Sequence, residues 1–241
     1  MRHRMSARVP ETQPDQRGRW MTLPVAMPIN PIHLALMHNG KVLVIAGSGK
    51  NPDNKRFLAG VWDPVGQTIR TFPVAWDMFC NGMVILPDGR PFVIGGTLKY
   101  AVDQVNDYLG ERRAAVFDVS TEQFVDTAPM AGGRWYPTGT VLADGSVMVV
   151  SGLNETNSQI NTSIEIWRGG RWNNGGTLFN GADFYPRQHL LPNGKVFESG
   201  VEYGFEVLQS GDPNLDRSGN DQLLLHASLR YVSPAAVDPG K

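Results

Sequence analysis

A chain of 241 residues with 27 glycines, 17 prolines and 19% charged residues has the composition of short strands joined by tight turns, and at this length an all-β architecture forms one domain with a substantial core. Its 22 Lys and Arg nearly balance its 23 Asp and Glu, giving a net charge of −1, so there is no electrostatic case for binding nucleic acid or an anionic membrane surface. No window approaches the roughly 18 consecutive apolar residues of a membrane-spanning helix, and the single cysteine excludes an internal disulfide.

The first 19 residues form a polar, basic leader without the apolar centre of a secretory signal. Either the protein is cytosolic or the start of the gene lies upstream. From Trp20 onward the sequence repeats. "LALMHNGKVLVIAGSG" (34–49), "MVILPDGRPFVIGGT" (83–97), "TVLADGSVMVVSGL" (140–153) and "HLLPNGKVFESGV" (189–201) each read as strand, two-residue Asn-Gly or Asp-Gly type turn, strand and small residues. Their turn glycines, Gly40, Gly89, Gly145 and Gly194, recur at intervals of 49, 56 and 49 residues. The longer interval holds a polar insertion, 98–113.

Between the hairpins lies a second recurrent unit, "GVWDPVGQTIRTFPV" (60–74), "AVFDVSTEQFVDTAP" (115–129) and "IEIWRGGRWNNGGTL" (164–178), again two strands around a turn. Four strands at a period of about 50 residues predict kelch-type β-propeller blades; sandwich strands do not recur at fixed long spacing. About four blades are expected over 20–205, as part of a larger ring. The tail, 206–241, is irregular and ends rich in proline, and its "DQLLLHASLRYVSP" could begin a further blade. Two N-x-S/T sequons, at Asn154 and Asn161, bear on function only in a eukaryotic secretory pathway.

The residues with chemistry in them sit at matched places. Cys80 and Tyr136 each precede their turn glycine by nine residues, so in a ring of blades they are neighbours around the axis. Taken alone, a cysteine in an apolar strand is a small buried hydrophobe. Taken together, "Trp76-Asp77-Met78-Phe79-Cys80" and "Arg134-Trp135-Tyr136-Pro137" resemble the motifs of the copper radical oxidases, the galactose oxidase and glyoxal oxidase superfamily, with wording closer to the glyoxal oxidase branch. The resemblance covers about 20–205, roughly the N-terminal half of a complete catalytic region. It implies a seven-bladed propeller, one copper ion, and a thioether between Cys80 and the ring of Tyr136, with Tyr136 also binding the metal and holding a radical. It further implies oxidation of a primary alcohol, aldehyde or carbohydrate by O₂ with release of hydrogen peroxide, and an extracellular or cell-envelope location. Oxidation of such a substrate removes two electrons and one copper accepts one, so a second redox group must stand beside it.

Copper(II) prefers a tetragonal set of N and O ligands, and the family's remaining ligands are a Tyr-His dipeptide and a later histidine. None of the six tyrosines here is followed by His. Of the histidines, His3 lies in the leader, His33 and His38 flank the first hairpin, His189 opens the fourth and His226 is in the tail. Tyr185 occupies the nine-residue position of the fourth hairpin. The tryptophan that shields the radical in galactose oxidase is replaced here by Leu153 and Asn154 at the corresponding place, as in the glyoxal oxidase branch. Two expectations follow: part of a copper radical oxidase that needs further ligands to act, or a non-catalytic propeller that binds a partner through its loops, including 98–113.

Overall fold

The computed structural model describes residues 22–23, 25–101, 108–178, 184–199 and 230–232. The leader, most of the tail, His3, His226 and 102–107 of the insertion lie outside the described residues. All regular structure among them is β. The strands are β1 (His33–Leu36), β2 (Val42–Gly47), β3 (Leu58–Asp63), β4 (Thr68–Pro73), β5 (Gly82–Ile85), β6 (Pro91–Ile94), β7 (Thr97–Lys99), β8 (Leu109–Gly110) and β9 (Ala114–Asp118). They continue with β10 (Gln123–Asp126), β11 (Thr138–Val141), β12 (Val147–Val150), β13 (Ser163–Arg168), β14 (Arg171–Thr177), β15 (Arg187–Leu190), β16 (Val196–Ser199) and β17 (Arg230–Val232).

Each sequence repeat becomes one antiparallel sheet. β1-β2-β3-β4, β5-β6-β9-β10 and β11-β12-β13-β14 are four-stranded meanders, and β15-β16-β17 makes a three-stranded fourth sheet. Within each sheet the odd and even residues of the inner strands serve different neighbours, as the two-residue period of a strand dictates. Leu43 and Ile45 of β2 pack with Val93, Ala115 and Phe117 of the second sheet, while Val44 and Ala46 face the other way onto Ile29. Phe92 and Ile94 in turn pack with Val147 and Val149 of the third sheet, whose Met148 and Val150 meet Val196 of the fourth. Consecutive sheets therefore stack face to face in chain order.

The hairpin turns differ from the two-residue expectation. Met37 N–H bonds Lys41 C=O and Gly40 N–H bonds Met37 C=O, both at 2.9 Å, and the same pair of bonds closes at Leu86, Leu142 and Leu191. Each loop has three residues, with only the glycine at positive φ: +80° at Gly40, +82° at Gly89, +81° at Gly145 and +77° at Gly194. A two-residue type I′ turn would need positive φ at two successive residues; here the left-handed glycine follows a right-handed turn, the three-residue form with a bulge. Asn39, Asp88, Asp144 and Asn193 each accept the N–H two residues on through a side-chain oxygen, which explains the Asn or Asp before every glycine.

The insertion is not simply a polar loop. Its ends pair as β7 and β8, and Gly110 N–H bonds Asn154 C=O at 2.9 Å, tying the insertion to the third sheet. A Cβ at Gly110 would overlap the carbonyl of Leu153 and the backbone of Arg134. Gly110→Ala is expected to lower stability by about 1–3 kcal/mol through this overpacking, read as a fall in the urea midpoint.

Candidate functional site

The segment 77–80 is held by the carboxylate of Asp77, buried at 5% exposure. Its Oδ1 accepts the N–H of Ser48 at 2.7 Å and of Phe79 at 3.0 Å, joining the end of β2 to the start of β5. Burial raises the Asp77 pKa above the ordinary carboxylate value, and the bonds from Ser48 and Phe79 oppose that rise. Asn81 ties off the same turn by donating to Met78 C=O at 2.6 Å.

Cys80, Tyr136 and Tyr185 all take left-handed backbone conformations, with φ of +62°, +68° and +50°. A non-glycine residue held there costs on the order of 1–3 kcal/mol, and such outliers concentrate at functional sites. Their peptide groups form a ladder across the sheets: Tyr136 N–H bonds Cys80 C=O and Tyr185 N–H bonds Tyr136 C=O, each at 3.0 Å. The equal spacing from the turn glycines thus becomes contact between adjacent sheets.

The side chains meet as well. The Cys80 and Tyr136 side chains pack in one cluster, close enough for each to shift the pKa of the other. Burial pushes the Cys80 pKa up to about 12, with the Tyr136 contact opposing, so the group is a thiol at neutral pH. Burial also raises the Tyr136 pKa, and the neighbouring Cys80 adds to that rise. Trp135 lies flat on Tyr136, centroids 3.8 Å apart, and donates its indole N–H to Thr97 Oγ1 at 3.1 Å. Trp135 thus covers one face of the Tyr136 ring. Leu153 pairs its backbone with that of Trp135.

Four further residues join this cluster, of which only Tyr185 carries a signal in its spacing. Tyr100 and Tyr108, the two flanks of 102–107, pack on it with ring centroids 5.4 Å apart, and Tyr108 stacks on Trp135 at 4.3 Å. Tyr100 shares a 2.5 Å hydrogen bond with Ser48. Tyr185 stacks on Tyr136 at 4.5 Å and donates its hydroxyl to Asn81 C=O at 3.0 Å. His33 meets Tyr185 edge-on at 6.5 Å, and its buried Nε2 has no hydrogen-bond partner among the described residues.

Burial lowers the His33 pKa from 6.5 to about 4. The unfolded chain takes up this proton near pH 6.5 and the folded chain only near pH 4. As pH falls through that window the unfolded state binds more protons, and stability falls. His33→Leu is expected to flatten this part of the acid limb in urea midpoints measured from pH 7 to 4; an unchanged slope would contradict it.

The other histidines lie elsewhere. His38 sits against Gly89, at the turn end of the hairpins, and His189 is exposed on β15 beside Phe197. A surface depression of about 560 Å³ at that turn end is lined by Lys41, Asp88, Arg90 and Glu122. Those charges pair with one another at 2.6–2.9 Å, an exposed network of small energetic weight.

The Tyr136 hydroxyl is an oxygen donor of the kind that Cu(II) accepts. Among the described residues, however, no three His, Cys, Asp or Glu lie close enough to share a metal, and the Tyr185 hydroxyl is committed to Asn81. The described residues therefore do not complete the tetragonal N and O set that Cu(II) prefers.

No protein-family model matches the chain. An aldehyde oxidase, GLOX, of Vitis pseudoreticulata is 26% identical over 213 residues, covering 76% of this chain and 38% of that protein. A WSC domain-containing protein of Arthroderma benhamiae is 30% identical over 138 residues, covering 53% of this chain and 15% of that protein. In three dimensions the chain is similar to a fungal alcohol oxidase of the AA5 family solved in complex with copper, with a TM-score of 0.56, 19% identity, and coverage of 72% of this chain and 38% of that one. The chain thus spans well under half the length of these relatives. The chain is thus similar in sequence, at low identity, to an aldehyde oxidase, and similar in fold to a copper-binding alcohol oxidase.

Proposed function

We propose that the chain carries the cysteine–tyrosine half of a copper radical oxidase site, which, completed by ligands beyond the described residues, oxidises a primary alcohol or aldehyde with O₂ and releases hydrogen peroxide. The observation that carries this reading is the packing of Cys80 against Tyr136, brought together from adjacent sheets by a backbone ladder of left-handed residues. In this reading the sheets are consecutive blades of a kelch-type propeller, within a ring of seven. An extracellular or cell-envelope location and a small-molecule substrate belong to the same proposal.

The chemistry of the pair follows from its surroundings. Forming the thioether breaks the Cys80 S–H and one C–H of the Tyr136 ring ortho to the hydroxyl, makes one C–S bond, and passes two electrons and two protons to O₂, giving hydrogen peroxide. Sulfur then donates electron density into the ring, and the phenol gives up an electron more easily. Burial keeps water from the thiol, and Trp135 covers one face of the ring. A bound copper would take the second electron of substrate oxidation. Tyr136 would be its ligand from this chain.

The incomplete ligand set favours a second reading, a propeller of this family that keeps the scaffold and binds a partner through loops such as the insertion. The two are separated by intact mass after exposure to copper and oxygen. The oxidase reading expects the loss of two hydrogens, abolished in Cys80→Ala.

A further inference from the structure

Tyr136 is enclosed on both faces. Trp135 lies on it at 3.8 Å with planes 11° apart, and Tyr185 at 4.5 Å and 28°. Trp135 and Tyr185 do not stack on each other, so they take opposite sides. Beyond Trp135 the pile continues with Tyr108, at 4.3 Å and 16°. Phe184 meets both Trp135 and Tyr136 edge-on, at 82° and 81°, and closes one flank. Four rings from three separate stretches of chain thus stand in one column, and all four are tyrosine or tryptophan.

These two residue types are the side chains from which a protein most readily loses a single electron. Parallel rings in contact overlap their π-orbitals, so a hole made on one spreads to its neighbours and falls in energy. Phenylalanine could fill the same space but would not share the hole. Packing alone does not require this selection of oxidisable rings.

We propose that Tyr185, Tyr136, Trp135 and Tyr108 form one redox unit that shares a single oxidising equivalent, with Tyr185 and Tyr108 as positioning residues that act through the two rings between them. The inference rests on the reading of Tyr136 as a redox group and adds where its hole resides. In the forming step one electron passes from the column to a one-electron metal-complex oxidant such as hexachloroiridate(IV), reducing it to iridium(III). The Tyr136 O–H bond breaks, and its proton goes to buffer.

The test mixes the copper-free chain with hexachloroiridate(IV) and reads electron paramagnetic resonance and near-infrared absorption. A radical that Tyr136→Phe removes is expected, with a near-infrared band arising from charge shared between stacked rings. Tyr185→Leu and Tyr108→Leu should each lower its equilibrium yield by about three- to tenfold. Tyr185→Phe keeps the packing, so it should fold as the parent does and still weaken the band, which a purely structural role would leave alone. Equal yield and an equal band in all three variants would overturn the column while leaving Tyr136 as the redox group. No radical removable by Tyr136→Phe would overturn both.

Discussion

Arg134→Met is expected to cost about 3–5 kcal/mol, the range for removing one partner of a buried ion pair. Against the 5–15 kcal/mol of a typical domain the variant stands near the edge of folding. The Arg134 side chain has no solvent exposure and Glu165 has 4%. The guanidinium donates to Glu165 Oε1, Ser163 C=O, Ser163 Oγ and Ser151 C=O, each at 2.9 Å. Burial lowers its proton affinity and Glu165 opposes that, but an arginine so paired stays charged. Without it, Glu165 keeps only the Ala131 N–H at 2.7 Å and becomes an uncompensated buried charge. The double variant Arg134→Met with Glu165→Leu should recover most of the loss, because a matched apolar pair strands no charge. Urea midpoints of both variants and the parent check this, and a single variant as stable as the parent would contradict it.

The same arginine links stability to the site, since it immediately precedes Trp135 and Tyr136. Its N–H bonds Glu111 C=O and its own C=O accepts from Gly96. The ion pair thereby fixes the strand end on which the aromatic column is built.

The hairpins were legible because each combines strand alternation with an Asn-Gly, Asp-Gly or equivalent turn, two local signals that agree. Their turn geometry was not, since three-residue and two-residue loops use the same Asn and Gly. Equal spacing to the turn glycine was enough to bring Cys80 and Tyr136 together, because identical sheets stacked in order bring identical positions into contact. Tyr100 and Tyr108 lie inside a polar stretch, and nothing in their spacing says that β7 and β8 fold back onto Trp135. Trp135 reads as a flank of Tyr136, and its stacking on that ring accompanies a left-handed backbone at 136 that no spacing announces. Tyr185 was placed correctly by its spacing, but its stacking on Tyr136 and its bond to Asn81 depend on the contact between the third and fourth sheets. Copper ligation is the part that neither motif nor fold supplies, for the chain has no Tyr-His pair and its described residues bring no histidine cluster to Tyr136.

The second large effect is all or none. Exposure to copper and oxygen is expected to convert Cys80 from a free thiol to a thioether. The shielded thiol, 3% exposed, is protonated at neutral pH and resists ordinary alkylation in the folded chain. The ring that the proposal joins to it is that of Tyr136, packed in the same cluster. Cys80→Ala removes the sulfur and Tyr136→Phe the phenol that activates the ring carbon, so either variant should leave the mass unchanged. In Tyr136→Phe the thiol should become fully titratable on unfolding. The most direct measurement is therefore intact mass with peptide mapping after copper and oxygen, followed by thiol titration in denaturant. The account predicts a loss of two hydrogens, a single cross-linked peptide pair containing residues 80 and 136, and no titratable thiol. An unchanged mass with one full thiol released on unfolding would contradict it.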